Sequence, residues 1–177
     1  MAKRPITIYL AGPFFNDQQV ATIKRLENLL EGLGFKVYSP SRDGKKLDMS
    51  TDSPELRAEV FQDNIKHLSE SDVMVAVIDD RDTGTMWEMG CRYGRWLDRY
   101  RCLDRRHVPC KDDARTDCPM IITYTDNDYG VNLMLTESIA CHCKGEAELE
   151  VFLKNLDAKG VDKVERDLYS TQRVDII

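Results

Sequence analysis

Apolar residues along the chain fall into two alternating patterns: short unbroken runs, and longer stretches in which they recur every three or four positions. Residues 6–11 (ITIYLA) form the first run, ended by the turn signal Gly12-Pro13. Asn16 or Asp17 can cap a helix in which Val20, Ile23, Leu26, Leu30 and Leu33 keep helical spacing, until Gly32 and Gly34 stop it. Residues 35–38 (FKVY) read as a second strand and the polar residues 39–51 as a loop. Ser53-Pro54-Glu55 is a helix start, with a serine cap, proline in the first turn and then an acid. Residues 73–78 (VMVAVI) are continuously apolar, as suits a central parallel strand covered on both faces. A helix follows Gly84 through Trp87, Cys91, Tyr93 and Trp96, then a fourth strand at residues 120–124 and a helix at 131–139.

The order β-α-β-α-β-α-β-α predicts the α/β class: one domain over residues 1–177, built on an open, doubly wound, flavodoxin- or Rossmann-like, mostly parallel sheet flanked by helices. Residues 98–118 interrupt it. A helix-to-strand connection in such folds takes about 2–6 residues, so this stretch reads as an inserted surface segment of mixed charge. It is either a solvated loop or hairpin, or a regulatory or oligomer contact.

Composition narrows the function classes. The 177 residues carry a formal net charge of −6, with 42% hydrophobic and 32% charged residues. This is a globular balance without the broad basic face that a nucleic-acid polymer requires. No apolar run approaches the roughly 18–20 residues of a membrane span. The opening MAKRPITIYLAG reads as a first strand rather than a signal peptide, so a cytoplasmic location is expected. Cys91, Cys102, Cys110, Cys118, Cys141 and Cys143 are then expected as free thiols. None of them has the C-x₂-C spacing of a zinc knuckle, so no metal is expected. Cys141-His142-Cys143 suits alternation on a strand.

Ligands of open α/β sheets bind beyond the carboxyl ends of the strands. The first such end is Gly12-Pro13-Phe14-Phe15, and residues 79–85 (DDRDTGT) form the third. Neither G-x-G-x-x-G nor a P-loop is present, which removes the main support for dinucleotide or nucleotide-triphosphate binding. Phe14 and Phe15 either stack on a planar ligand or pack in the core. Asp82 and Glu88 stand six residues apart, on a loop and in the first turn of the next helix, and Gly84 between them allows close approach of a ligand. A helix N-terminus should keep Glu88 ionised. Glu88 could then act as a nucleophile while Asp82 handles a proton; the alternative for either acid is helix capping.

Three blocks, YLAGPFFNDQQ at residues 9–19, DTGTMWEMG at 82–90 and DYGVNLM at 128–134, resemble the nucleoside 2-deoxyribosyltransferases in order and spacing. The resemblance extends from about Tyr9 to Thr136 and leaves the 98–118 segment unmatched. It implies a retaining double displacement in which Glu88 attacks C1′ of a 2′-deoxyribonucleoside, expels the base and is released by a second base. Tyr9 matches the tyrosine that orients the nucleophile, and Asp82 the aspartate that contacts the base and helps move its proton. Phe14, Phe15 and Gly84 would border the substrate. Asn64, with Asp63 beside it, falls where some members carry a further active-site aspartate, which leaves the choice of bases open. Asn132 matches a residue that reaches a neighbouring subunit's site to hold the 5′-hydroxyl, and Met134 follows it into the pocket wall.

The resemblance therefore implies deoxynucleosides and free nucleobases as small-molecule partners. It also implies a homo-oligomer, dimer or hexamer, with shared active sites, and no cofactor. The chain runs on past Glu165, so the role some members give their C-terminal carboxylate is not carried over. The competing reading is an N-glycosidase of deoxynucleoside 5′-monophosphates that uses water as acceptor. The apolar Pro13-Phe14-Phe15 loop disfavours it, because burying a phosphate dianion there would be costly. A non-catalytic nucleotide-sensing module would have no use for Tyr9 together with the Asp82/Glu88 pair, and an electron carrier would need a phosphate-cradling first loop.

Overall fold

The computed structural model describes residues 4–45, 50, 52–101, 120–127 and 131–161. The elements are β1 (Thr7–Ala11), α1 (Asp17–Gly32), β2 (Lys36–Tyr38), α2 (Pro40–Asp43), α3 (Pro54–Glu70), β3 (Val73–Val77), α4 (Thr83–Arg101), β4 (Ile121–Thr125), α5 (Leu133–Ser138), β5 (Cys141–Lys144) and α6 (Gly145–Lys159). The five strands form one parallel sheet in the order β2-β1-β3-β4-β5. This is the doubly wound α/β fold that the pattern predicts, with its topological switch between β1 and β3. No helix among the described residues is long and apolar enough to cross a membrane.

Period-two alternation sorts the strand residues onto two faces. Ile8, Leu10, Val75, Val77 and Ile122 pack against Ile23, Leu26 and Leu30 of α1 and Leu149, Phe152 and Leu153 of α6. Tyr9, Ala11, Met74, Ala76 and Ile121 face the other way, toward Leu68 of α3 and Met89 of α4. Tyr9 thus sits on the α3/α4 face. All five residues of β3 are buried, as a central strand requires. Fully burying each leucine or isoleucine of these layers contributes about 1.5–3 kcal/mol.

Local signals set the helix ends. Asn16 caps α1, its Oδ1 accepting from Gln19 N at 2.9 Å, and Ser53 caps α3 by accepting from Leu56 N at 3.1 Å. Gly34 takes φ +89° just beyond α1, a left-handed conformation that glycine holds without strain. Beside the start of β3, Arg92 of α4 donates to the carbonyls of Leu68 at 3.0 Å and Asp72 at 2.7 Å, pinning α4 over the end of α3. Burial lowers that guanidinium to about 10.

Some boundaries differ from the sequence reading. Residues 39–51 are not all loop, because Pro40 opens the one-turn α2. The helix expected at 131–139 shortens to Leu133–Ser138, since Asn132 caps it. The alternation expected at Cys141-His142-Cys143 is found in a fifth strand, Cys141–Lys144, with Cys141 and Cys143 on the α1/α6 face and their sulfurs 3.6 Å apart. His142 points to the other face, Nδ1 lying 2.8 Å from Thr123 Oγ1. Helix α4 runs on to Arg101. The remainder of the expected insertion, with Cys102, Cys110 and Cys118, and the DYG of the third block lie outside the described residues.

Candidate active site

The site begins where β1 and β3 end beside each other. Gly12 leaves β1 squeezed between α1 and β3: a Cβ there would come within 2.7 Å of Ile23 Cδ1 and 2.9 Å of Val77 Cβ. Only glycine lets the first loop start this close to the sheet. From that loop Phe14 and Phe15 emerge stacked on each other, ring centroids 5.5 Å apart, and 41% and 75% exposed. Neither is a core residue.

The second loop follows β3. A single 3₁₀ turn, Asp79–Arg81, carries Asp80 and Arg81 at φ +63° and +52°. Two successive non-glycine residues in the left-handed region are strained and need outside support. Asp82 then opens α4, its Oδ2 accepting from Thr85 N at 2.7 Å and from Thr85 Oγ1 at 2.8 Å. Asp82 is therefore a helix cap, whatever else it does. Gly84 packs over it, an added Cβ falling 3.1 Å from Asp82 Oδ2.

Glu88 lies one turn further along α4, in its second turn rather than its first. The Tyr9 hydroxyl donates to Glu88 Oε1 at 2.6 Å. Tyr9 is fully buried, and burial together with the facing carboxylate pushes its phenol far above the ordinary range, so it remains a donor. Burial likewise raises Glu88 from its ordinary 4.5 to about 7; the Tyr9 hydrogen bond opposes that rise and the Asp82 charge adds to it. The helix terminus expected to keep Glu88 ionised is outweighed by burial, which leaves it about half ionised near pH 7, and magnitude is the reason. A dipole interaction near a helix terminus is worth about 0.3–1 kcal/mol, whereas a rise from 4.5 to about 7 corresponds to about 3 kcal/mol.

Behind Tyr9 stands a layer in which sequence reasoning named Asp63 and Asn64 but missed Tyr38 and His67. Tyr38 is its register neighbour on β2, and their rings stack at 5.7 Å. The Tyr38 hydroxyl lies 3.1 Å from Asp63 Oδ2 and 3.2 Å from Asn64 Oδ1, so α3 brings both of these residues to the tyrosine pair. His67 stacks on Tyr38 at 3.7 Å, with Nε2 3.6 Å from Asp63 Oδ1. A clue was present in the sequence: His67 is four residues beyond Asp63, on the same helix face.

Asn132 and Met134 stand apart from this group. Asn132 is exposed and caps α5, its Oδ1 accepting from Met134 N at 2.9 Å. Met134 is 76% exposed and Leu133 51%. Within its own chain, Met134 is a surface residue and not a buried wall. Phe61 of α3 and Trp87 of α4 form a second exposed aromatic pair, 5.5 Å apart.

A carboxyl poised near neutrality, a tyrosine fixed on one of its oxygens, a second carboxylate six residues before it and an exposed aromatic shelf stand at the ends of β1 and β3. The family model described as nucleoside 2-deoxyribosyltransferase matches residues 8–134, more than two thirds of the chain, and the chain belongs to that family. A solved 2-deoxyribosyltransferase from the psychrotolerant bacterium Bacillus psychrosaccharolyticus, described as a biocatalyst for nucleoside synthesis, superposes with a TM-score of 0.64. It is 27% identical, with 81% of this chain and 90% of that one covered. A conserved protein from Enterococcus faecalis V583 shares the fold, with a TM-score of 0.62 at 18% identity over 86% of this chain and 99% of that one. An uncharacterized protein of Ureaplasma parvum serovar 3 is 32% identical over 98 residues, 51% of this chain and 60% of that protein. The chain thus spans under two thirds of that curated relative.

Proposed function

We propose that this protein transfers a 2-deoxyribosyl group between nucleobases by a retaining double displacement on Glu88. The observation that carries the reading is the 2.6 Å hydrogen bond from Tyr9 to Glu88 Oε1. It fixes one carboxylate oxygen and leaves Oε2 for C1′ of the sugar. In the first half-reaction an electron pair of Oε2 forms the bond to C1′. The C1′–N bond breaks, and the departing base takes the electron pair and a proton delivered with the help of Asp82. In the second half-reaction a nitrogen of the incoming base attacks C1′, the ester bond breaks, and the base gives up its proton.

The sugar passes twice through an oxocarbenium-like state, which lacks the destabilising pull of a 2′-hydroxyl. Phe14 and Phe15 offer their ring faces to the base, and Gly84 leaves room for it above Asp82. Asp63 and Asn64, held by Tyr38, border the base and contribute to its selection. Asn132, with Met134 beside it, completes the site of a neighbouring protomer by bonding the 5′-hydroxyl, so the active species is a homo-oligomer. Deoxynucleosides and free nucleobases are its partners, and no cofactor enters the scheme.

The test is product analysis of thymidine or deoxyinosine incubated with free adenine or cytosine, together with intact-mass measurement of acid-quenched enzyme. The expected result is an exchanged nucleoside and a protein heavier by one deoxyribosyl residue, absent in Glu88→Ala. Free deoxyribose at a rate indifferent to added base would instead indicate the water-accepting glycosidase.

A further inference from the structure

Gln19 is the third residue of α1, three after the cap Asn16, the spacing of a capping box. Its side chain serves a different end. Oε1 accepts from Phe15 N at 2.8 Å, and Nε2 donates to Asp80 Oδ2 at 2.8 Å. Only one seating of the amide satisfies both partners, since the reverse would set NH₂ against N–H and a carbonyl against a carboxylate. The partner on one side belongs to the stacked Phe14–Phe15 pair. On the other side it is the first of the two left-handed residues that lead into Asp82. The same turn is tied on its far side: Asp79 accepts from Asp126 N and Asn127 Nδ2, both at 2.9 Å, and from the Thr125 hydroxyl. The loops after β1, β3 and β4 are thereby laced together across the rim of the sheet, and Gln19 alone makes the first crossing among the side-chain hydrogen bonds described above.

We propose that Gln19 is a positioning residue, which sets the Phe14–Phe15 shelf against the Asp80–Asp82 turn and so governs affinity for the nucleobase. The part concerning the base rests on the transferase reading; the strut itself does not.

Two variants separate the two bonds. Gln19→Met removes both, while Gln19→Glu keeps an acceptor for Phe15 N but sets a carboxylate against Asp80. Amide hydrogen exchange in the free protein should show faster exchange over residues 79–85 in both variants, and faster exchange at Phe15 N–H in Gln19→Met only. In exchange assays, KM for the acceptor base should rise about fivefold in both variants. Meanwhile kcat, the acidic limb of the pH profile and the unfolding midpoint should stay near wild type. Unchanged protection over residues 79–85 in both variants overturns the strut. Faster exchange with kcat and KM affected in proportion overturns the base-positioning role. Absence of base exchange in the wild type refutes the transferase reading, and the hydrogen-exchange comparison still decides the strut.

Discussion

Replacing Tyr9 by phenylalanine removes one hydroxyl and leaves the ring that stacks on Tyr38, so the pocket behind Glu88 stays dry. What is lost is the 2.6 Å hydrogen bond to Glu88 Oε1, a contact that favours the ionised carboxylate. Hydrogen bonds to a charged group are worth about 1.5–3 kcal/mol, which corresponds to about one to two pH units. Glu88 titrates at about 7 with the bond in place, so in Tyr9→Phe it should titrate at about 8–9. In the proposed mechanism Glu88 attacks only when ionised. At pH 6 about a tenth of the wild-type carboxyl is ionised, against about a hundredth to a thousandth in the variant. The ratio of kcat/KM between the two proteins should therefore be about 10–100 at pH 6 and shrink to a few-fold above pH 9. The assay is kcat/KM for one fixed nucleoside–base pair across that range; ionisation of the substrates cancels in the ratio. A ratio that does not vary with pH would refute the reasoning, since Tyr9 would then contribute geometry without tuning the acid.

Glu88→Ala should abolish base exchange while keeping the circular dichroism of the fold; residual turnover near wild type removes Glu88 as nucleophile. Because the folded protein raises Glu88 from 4.5 to about 7, the native state binds its proton more tightly than the unfolded chain. Wild-type stability should accordingly fall by up to about 3 kcal/mol relative to Glu88→Ala as pH rises through that window, as read from urea unfolding at several pH values. Gly12→Ala should lose about 1–3 kcal/mol through overpacking against Ile23 and Val77, seen as a lower urea midpoint with an unchanged slope. Ribonucleosides should show kcat/KM lower by about tenfold or more, from crowding at C2′ and a less accessible cation; equal values for the two sugars contradict this. Mixing Glu88→Ala with Asn132→Ala protomers should restore activity if sites are completed in trans, and no recovery despite proven subunit exchange excludes the shared site.

The elements readable in the sequence were those whose burial is written in unbroken apolar runs. Strand β3 is the clearest, with VMVAV buried throughout. Strand β5 was legible only as the alternation Cys141-His142-Cys143, because CHCK shows no apolar run and its place in the sheet comes from pairing with β4. Helix α2 was hidden by Pro40, which punctuates loops as often as it opens a helical turn. At the candidate site, Tyr9, Asp82 and Glu88 stand in contiguous blocks and could be singled out directly. Tyr38, His67 and Gln19 were not singled out: Tyr38 joins the site through strand register, His67 by stacking on Tyr38, with only its i,i+4 spacing from Asp63 as a clue, and Gln19, though within the first block, through a crossing between loops. The protonation of Glu88 was misjudged for a related reason: position on a helix is legible in sequence, but depth of burial is a property of the packed layers.

Seventy-nine residues of chain separate Tyr9 from Glu88, and the two meet because β1 pairs with β3 across the switch point, Tyr9 opposite Met74. Closing so long a loop costs conformational entropy that only the finished central pairing repays, which places this contact among the slow, non-local events of folding. Assembly of the reactive pair and closure of the sheet are then a single event. Before β1 and β3 pair, the phenol that bonds Glu88 is not in place, so the proposed nucleophile is oriented only in the finished sheet.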